Sequence, residues 1–392
     1  MSGLPRVALG DLVFDERPKR NTIDTAVWNL NLDQIEPDTG RVLERIWVQQ
    51  DDLGPSTYPF EAGTVLYSKL RPYLNKVVVA DATGYATTEL VPLRCNKDKV
   101  LPEYLAYFLR SPEFLNFANT VVAGAKMPRM VMSEFWKYEA PLPPLHEQRR
   151  IAAILGQTDA LRAKRREALA QLDCLAQSVF IDMFNPAVAQ DWPVKTIADI
   201  VSQQGGGIRT GPFGSQLLHS EFVDSGIAVL GIDNAVSNEF RWGERRYITE
   251  AKYRELQRYT VKPGDVLITI MGTCGRCAVV PDDISVAINT KHLCCITLDH
   301  GLCLPEFLHA YFLRHPMARE YLERTAKGAI MSGLNMGLIK AMPIAIPPLA
   351  LQHEFKARKQ IIENLKAQHR TALAELDALF ASLQHRAFRS EL

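Results

Sequence analysis

Residues 101–112 read LPEYLAYFLRSP, and residues 304–316 read LPEFLHAYFLRHP. Within these two stretches the block Ala-Tyr-Phe-Leu-Arg-x-Pro returns at an offset of 204. Working outward, other blocks keep the same step. Gly124-Ala125-Lys126-Met127 answers Gly328-Ala329-Ile330-Met331, and Pro143-Pro144-Leu145 answers Pro347-Pro348-Leu349, with Gln148 and Gln352 in step. ALAQLDCLAQSVFIDMF (168–184) answers ALAELDALFASLQHRAF (372–388). One shared offset over so long a stretch marks a tandem duplication. Upstream the match loosens. VALGDLV (7–13) resembles KTIADIV (195–201), and FEAGTVLYSKLRPYLNKVVVAD (60–81) resembles VKPGDVLITIMGTCGRCAVVPD (261–282), at shorter offsets. Each half therefore has a fixed part and a part that varies, as a common scaffold with two different reading surfaces would.

Short runs rich in Val, Ile and Tyr between Gly, Pro and Asp predict strands at 63–68, 76–80, 227–232, 264–270 and 278–281. Pro102 and Pro305 open predicted helices over 102–110 and 305–314. After each Pro-Pro comes a long helical pattern. Leu145–Phe184 holds no proline and one glycine, Gly156, and Leu349–Leu392 holds neither. A stripe at 3-4 spacing runs through Ile151, Leu155, Thr158, Leu161, Arg165, Ala168, Leu172, Leu175, Val179 and Met183. Shifted by 204, it becomes Phe355, Lys359, Ile362, Leu365, His369, Ala372, Leu376, Leu379, Leu383 and Ala387. That spacing is a coiled-coil seam, and helices of roughly 35–40 residues make rods of about 50–60 Å. If a pseudo-two-fold relates the halves, the rods run antiparallel. Arg165 and His369 then meet as a polar layer.

The fold expected is α+β: two mixed α/β domains in pseudo-two-fold tandem repeat, separated by two long antiparallel coiled-coil helices. The boundaries expected are domain 1 at 1–142, spacer helix 1 at 143–184, a linker NPAVAQDWP at 185–193, domain 2 at 194–346 and spacer helix 2 at 347–392.

Composition narrows the function. The chain has 392 residues, 45 Lys+Arg against 44 Asp+Glu, and 47% hydrophobic residues. That balance opposes a sequence-blind polycation, although it permits local basic patches. No apolar run is long enough to span a membrane, and the N-terminus lacks a signal-peptide core. The expectation is a cytoplasmic protein whose seven cysteines stay reduced. No P-loop, dinucleotide fingerprint, nucleophile elbow, His-Glu-x-x-His helix or methyltransferase Asn/Asp-Pro-Pro-Tyr loop occurs, so the chain reads as non-catalytic. Cys274-Gly-Arg-Cys277 with His292 and Cys294-Cys295 suggests zinc at first sight. The second half of that set is an adjacent pair in an apolar run, which favours buried thiols.

These features resemble the DNA-specificity (S) subunit family of type I restriction–modification systems. The residues that carry the resemblance are Gly211-Pro212-Phe213-Gly214-Ser215-Gln216-Leu217, Pro263-Gly-Asp-Val-Leu-Ile-Thr269 and Gly272-Thr273-Cys274-Gly275-Arg276. With them goes Leu142-Pro143-Pro144-Leu145 with Glu147-Gln148 opening a long helix. Leu351 stands where the first helix has Glu147, and the first half carries DERPKRNTIDTAVWNL in place of Gly-Pro-Phe-Gly-Ser. The resemblance implies two target-recognition domains, each reading one half of a bipartite duplex DNA target. It implies helices that space the domains and dock two methyltransferase subunits, and it implies added restriction/translocase subunits. S-adenosylmethionine, ATP and Mg are then expected on the partners and none in this chain. The rival reading is a scaffold with two ligand-binding domains on a coiled coil; a third is an enzyme fusion.

Long polar side chains on loops near the strands are the candidates for DNA contact. In the first half these are Lys69, Arg71, Asn75, Lys76, Lys126 and Arg129. In the second they are Arg209, Thr210, Ser215, Gln216, Arg276, Lys327 and Asn335. Glu147, Gln148 and Gln352 are the candidates for partner docking. Tyr107, Phe108, Leu109, Tyr311, Phe312 and Leu313 are expected in the core rather than stacked on bases.

Overall fold

The computed structural model describes residues 4–14, 26–185, 191–203, 206–326, 334–389 and 391–392. The chain packs as two compact units. Unit 1 holds residues 1–168 and 369–392, and unit 2 holds 169–368. Each long helix therefore contributes one end to each unit.

Unit 1 contains two four-stranded sheets. One runs, in spatial order, Val13–Phe14, Leu90–Cys95, Val65–Ser68 and Val77–Val79, all antiparallel. The other runs Ile46–Val48, Val27–Leu30, Gly84–Thr87 and Thr57–Phe60, and its middle pair is parallel, with Trp28 opposite Gly84. Unit 2 repeats both orders. Its first sheet runs Ile208–Thr210, Leu293–Ile296, Val266–Thr269 and Cys277–Val279. Its second runs Tyr247–Ile248, Ile227–Leu230, Ala287–Asn289 and Thr260–Val261, again with a parallel middle pair, Ala228 opposite Ala287. The duplication read from the sequence is thus a duplication of topology. A ladder of first against last strand ties the start of each domain to its end, Arg6–Ala8 with Glu139–Pro141 and Val194–Thr196 with Pro343–Ala345.

The central strands explain why VLYS, VLIT and LCCI carry no polar alternation. All three are buried throughout. Val65 and Tyr67 face the helices, where they join Tyr104, Phe108, Phe114 and Phe135, whereas Leu66 faces Trp28, Phe60 and Leu90. Val266 and Ile268 likewise join Phe307, Tyr311 and Phe355, and Leu267 joins Leu230 and Leu293. A strand covered on both faces reads as a continuous apolar run. The same pleat sends Cys294 to one face and Cys295 to the other. The expected core aromatics are in place, with Tyr107, Phe108, Leu109, Tyr311 and Phe312 buried and Leu313 packed against them.

Two helices of 39 residues follow the Pro-Pro motifs, Leu145–Met183 and Leu349–Ala387, each about 58 Å long. They pair antiparallel. In unit 1, Arg162 meets Asp377 at 2.6 Å and Arg165 lies 3.2 Å from His369; in unit 2, Lys366 meets Asp173 at 2.8 Å and Phe180 packs on Phe355. The predicted polar pair does meet, on the exposed edge. The seam itself departs from the strict 3-4 stripe. Leu161, Leu175, Leu365 and Leu379 are 47%, 47%, 40% and 48% exposed, and the buried positions along the first helix and at its end are Gln148, Ile151, Leu155, Thr158, Ala176, Phe180 and Phe184. A straight helix drifts by roughly 20° per heptad from a 3.5-residue repeat, so the stripe leaves the seam after its first turns. The same two stripe residues fail in both helices, because they are the same positions of the repeat.

In the seam the duplicates share an ion cluster. Arg162 bridges Asp159 and Asp377 in unit 1. Shifted by 204, these are Lys366, Glu363 and Asp173, and Lys366 bridges the other two in unit 2. Charge is kept while residue type changes. Lys359, a cation in the apolar stripe, is held with its Nζ 3.4 Å from His309 Nδ1. Burial pushes that amine below its ordinary range and the imidazole down to about 3, so the ring stays neutral and accepts. Each helix also ends in an aromatic dock. Phe388 packs on Tyr104 and Phe108 in unit 1, and Phe184 on Phe307 and Phe355 in unit 2.

Because unit 2 runs the same bridge with lysine, Arg162→Lys is expected to cost under about 1 kcal/mol. Arg162→Leu, which leaves partly buried Asp159 only the more distant Arg110 at 3.9 Å, is expected to cost about 2–3 kcal/mol. Thermal midpoints of the two variants beside the parent check both values.

Candidate nucleic-acid interface

In unit 1 the strand Val65–Ser68 leaves the core through the turn 69–76 and returns as Val77–Val79. Two residues of this turn, Arg71 and Asn75, hold φ near +49°. The equivalent turn of unit 2 uses Gly272 and Gly275 there, at φ +69° and +77°. Glycine takes such a conformation freely, asparagine tolerates it, and a long side chain pays of order 1–2 kcal/mol. Arg71 is therefore kept at a strained position, exposed and with no side-chain partner among the described residues. Strain of this kind collects at functional sites.

The second predicted segment lies beside this turn. Val122–Ala123 pairs with Arg129–Met130 to form a hairpin whose tip carries Lys126. Arg71 N–H donates to the Pro128 carbonyl at 2.7 Å, Met130 N–H donates to the Lys69 carbonyl at 2.8 Å, and Leu70 bridges Arg129. SKLRP and GAKMPR are thus drawn into one surface. Lys126 is exposed and Lys69 half-buried, both without a side-chain partner among the described residues, and exposed Tyr73 and Met127 lie alongside. Arg129 donates to the Glu89 carboxylate through Nε at 3.1 Å and Nη2 at 2.8 Å. Asn75 is buried, its amide donating to Asp38 and to the Arg110 carbonyl, and Lys76 donates to the Leu32 carbonyl at 2.6 Å. Those two side chains hold the turn in shape.

In unit 2 the strand Ile208–Thr210 runs into Gly211–Gln216. A Cβ at Gly211 would lie 2.0 Å from the Asn289 carbonyl oxygen, so only glycine lets this loop lie against the turn after Asn289. Ser215 is exposed and Thr210 half-buried. Gln216 accepts from Phe213 N–H at 3.1 Å and from the Tyr259 hydroxyl at 2.9 Å, which fixes its amide and leaves Nε2 without a partner among the described residues. Arg276 is exposed and its side chain is equally unpartnered. Arg209 is different. It is nearly buried and bonds to Asp265, Thr297 and the Thr260 carbonyl, which brace it within the sheet. Asn335 caps the helix Met336–Ala341 by accepting from Leu338 N–H at 3.0 Å. Lys327 lies outside the described residues, as does the second Gly-Ala-x-Met block.

The docking candidates also part ways. Gln148 is fully buried; its Oε1 accepts from Leu101 N–H and its Nε2 donates to the carbonyls of Lys99 and Pro143. Gln352 repeats this with Leu304, Leu302 and Pro347. Neither has surface to offer a partner, and both fasten a long helix to its domain. Glu147 remains on the surface, with Arg150 at 2.6 Å holding its carboxyl below the usual range.

Cys274 is exposed while Cys277, Cys294 and Cys295 are buried, and burial raises all three buried thiols. Among the described residues no group of three or more His, Cys, Asp or Glu could hold a metal ion, and no helix is long and apolar enough to cross a membrane.

Two four-stranded sheets, repeated with the same strand orders and closed by a shared pair of long helices, can be compared with known proteins. The family described as Type I restriction modification DNA specificity domain matches residues 37–171. The EcoBI specificity subunit of Escherichia coli is 24% identical over 387 residues, which covers 90% of this chain and 76% of that one. The EcoKI specificity subunit of Escherichia coli strain K12 is 24% identical over 322 residues, covering 74% and 65%. The chain resembles the specificity subunits of type I restriction–modification systems along most of its length. The solved S subunit from M. genitalium shares the fold, with a TM-score of 0.58 at 13% identity over 98% of this chain and 96% of that one.

Replacing Gln148 or Gln352 by Leu strands two carbonyls and an N–H. Each substitution is expected to lower stability by about 2–4 kcal/mol, at roughly 1–3 kcal/mol per buried unsatisfied group with partial relaxation. Urea unfolding of the isolated chain, with no partner subunit present, checks this.

Proposed function

We propose that residues 1–142 and 194–346 are two target-recognition domains, each reading one half of an asymmetric duplex target. Helices 143–184 and 347–392 then hold two methyltransferase subunits, and 185–193 is the link between the repeats. The observation that carries this reading is a pair of equivalent turns, 69–76 and 270–276, held by the same backbone bends but offering Lys69 and Arg71 in one case and Arg276 in the other. Equal frames with unequal side chains suit two unlike half-sites. Arg71, Lys126 and Lys69 in the first domain, and Ser215, Gln216, Thr210 and Arg276 in the second, are the side chains proposed to meet DNA.

The near-zero net charge fits a subunit whose DNA affinity is completed by partners. S-adenosylmethionine, ATP and Mg would reside on those methyltransferase and restriction subunits, in the cytoplasm. Mapping of modified bases in host DNA tests the assignment. With the gene present, modified adenines should fall in one two-part sequence with a fixed gap, and deletion of the gene should remove them all.

The exposed leucines support the docking role. The register set by Arg162 and Asp377 brings Leu161 and Leu379 to one level in unit 1, and that of Lys366 and Asp173 does the same for Leu175 and Leu365 in unit 2. Large apolar side chains repeated on a helix surface suit two copies of one partner. Leu161→Glu combined with Leu379→Glu is expected to leave the melting temperature within about 2 °C, since surface substitutions stay within ±0.5 kcal/mol. The same variant should lose at least one methyltransferase subunit on co-purification.

A further inference from the structure

In each unit a short turn joins the second sheet to the first. It follows Gly84–Thr87 in unit 1 and Ala287–Asn289 in unit 2, and it enters Leu90–Cys95 and Leu293–Ile296. The sequences are Thr87-Thr88-Glu89-Leu90 and Thr290-Lys291-His292-Leu293. The backbone frame is the same in both. Lys69 N–H donates to the Glu89 carbonyl at 3.0 Å, and Ile270 N–H donates to the His292 carbonyl at 2.9 Å. Ser68 stands opposite Leu90, and Thr269 opposite Leu293. The turn lies in the middle of the loops already described. In unit 1, Lys69 and Arg129 flank it; in unit 2, Gly211 packs on Asn289 and Thr290, and Thr290 N–H donates to the Leu230 carbonyl at 2.9 Å.

We infer that the position occupied by Glu89 in one domain and His292 in the other determines specificity, Glu89 accepting from an exocyclic base amino group and His292 meeting the acceptor edge of a purine. This rests on the two-domain reading above. If two domains on one frame read unlike half-sites, the readers are side chains whose backbone is matched and whose chemistry differs. Glu89 and His292 meet that condition without relying on the turns that change length. A carboxylate can only accept, which suits the cytosine or adenine amino group. Arg129 grips Glu89 side-on and fixes the direction of its oxygens. Burial, with Lys291 and Arg246 nearby, holds His292 below its ordinary range, so the ring is neutral with one donor and one acceptor.

The test uses the chain assembled with its methyltransferase subunit, with modified bases mapped in host DNA. Glu89→Gln and His292→Ala should each reduce discrimination at one base pair by roughly 5- to 150-fold, each in a different half of the target. The reciprocal variants, Glu89→His and His292→Glu, use residues that the same backbone already accepts, and each should shift the preferred base at that position. An unchanged pattern from folded, assembled variants, or an even loss over all sites without altered preference, would overturn the inference. Parent complex that modifies DNA without a two-part sequence would instead overturn the reading beneath it.

Discussion

A glutamine with no exposed surface, three residues into each long helix, joins that helix to its domain through three hydrogen bonds. An amide buried in an apolar setting tolerates little misplacement, because every unmade bond leaves a polar group dehydrated. Gln148 and Gln352 therefore fix where each rod starts and at what angle it leaves. The ion clusters around Arg162 and Lys366 then fix how the rods slide against each other within each unit. Sheets, turns and the side chains they display are placed relative to this joint.

Much of this was legible in the sequence because duplication leaves an arithmetic trace. The offset of 204 marks the helices, the Pro-Pro starts and the Ala-Tyr-Phe-Leu-Arg blocks, and the strands at 65–68, 77–79 and 266–269 fall within the predicted runs. The offset could have yielded more. Arg162, Asp159 and Asp377 share it with Lys366, Glu363 and Asp173, and a search for charge retained across the repeat would have found the seam's ion clusters. The second sheet's topology was not legible, since its parallel middle pair joins strands distant in sequence, such as Val27–Leu30 with Gly84–Thr87.

The functional residues were only half legible, for a physical reason. Composition shows which side chains can meet DNA; it does not show which are already engaged. Arg209 and Lys76 look like free cations in sequence, yet one closes a buried pair with Asp265 and the other a bond to a carbonyl. Gln148 and Gln352 were noticed because they repeat. A repeated residue serves what the two halves share, and here that is their own packing. Glu89 was not singled out, and His292 only as part of an apparent zinc set, because unlike chemistries at matched positions show no sequence similarity. Arg71 carried a detectable signal, the absence of glycine where the sister turn has one.

Those turns have one more property. Tyr73, exposed between Arg71 and Asn75, belongs to none of the hydrophobic clusters, and neither do Met271, Thr273 and Cys274 in the sister turn. Side chains there can be exchanged at little expense to folding, while the strands on either side stay anchored by Val65 and Tyr67 or by Val266 and Ile268. A lineage could then retarget such a subunit one letter at a time without passing through an unfolded ancestor.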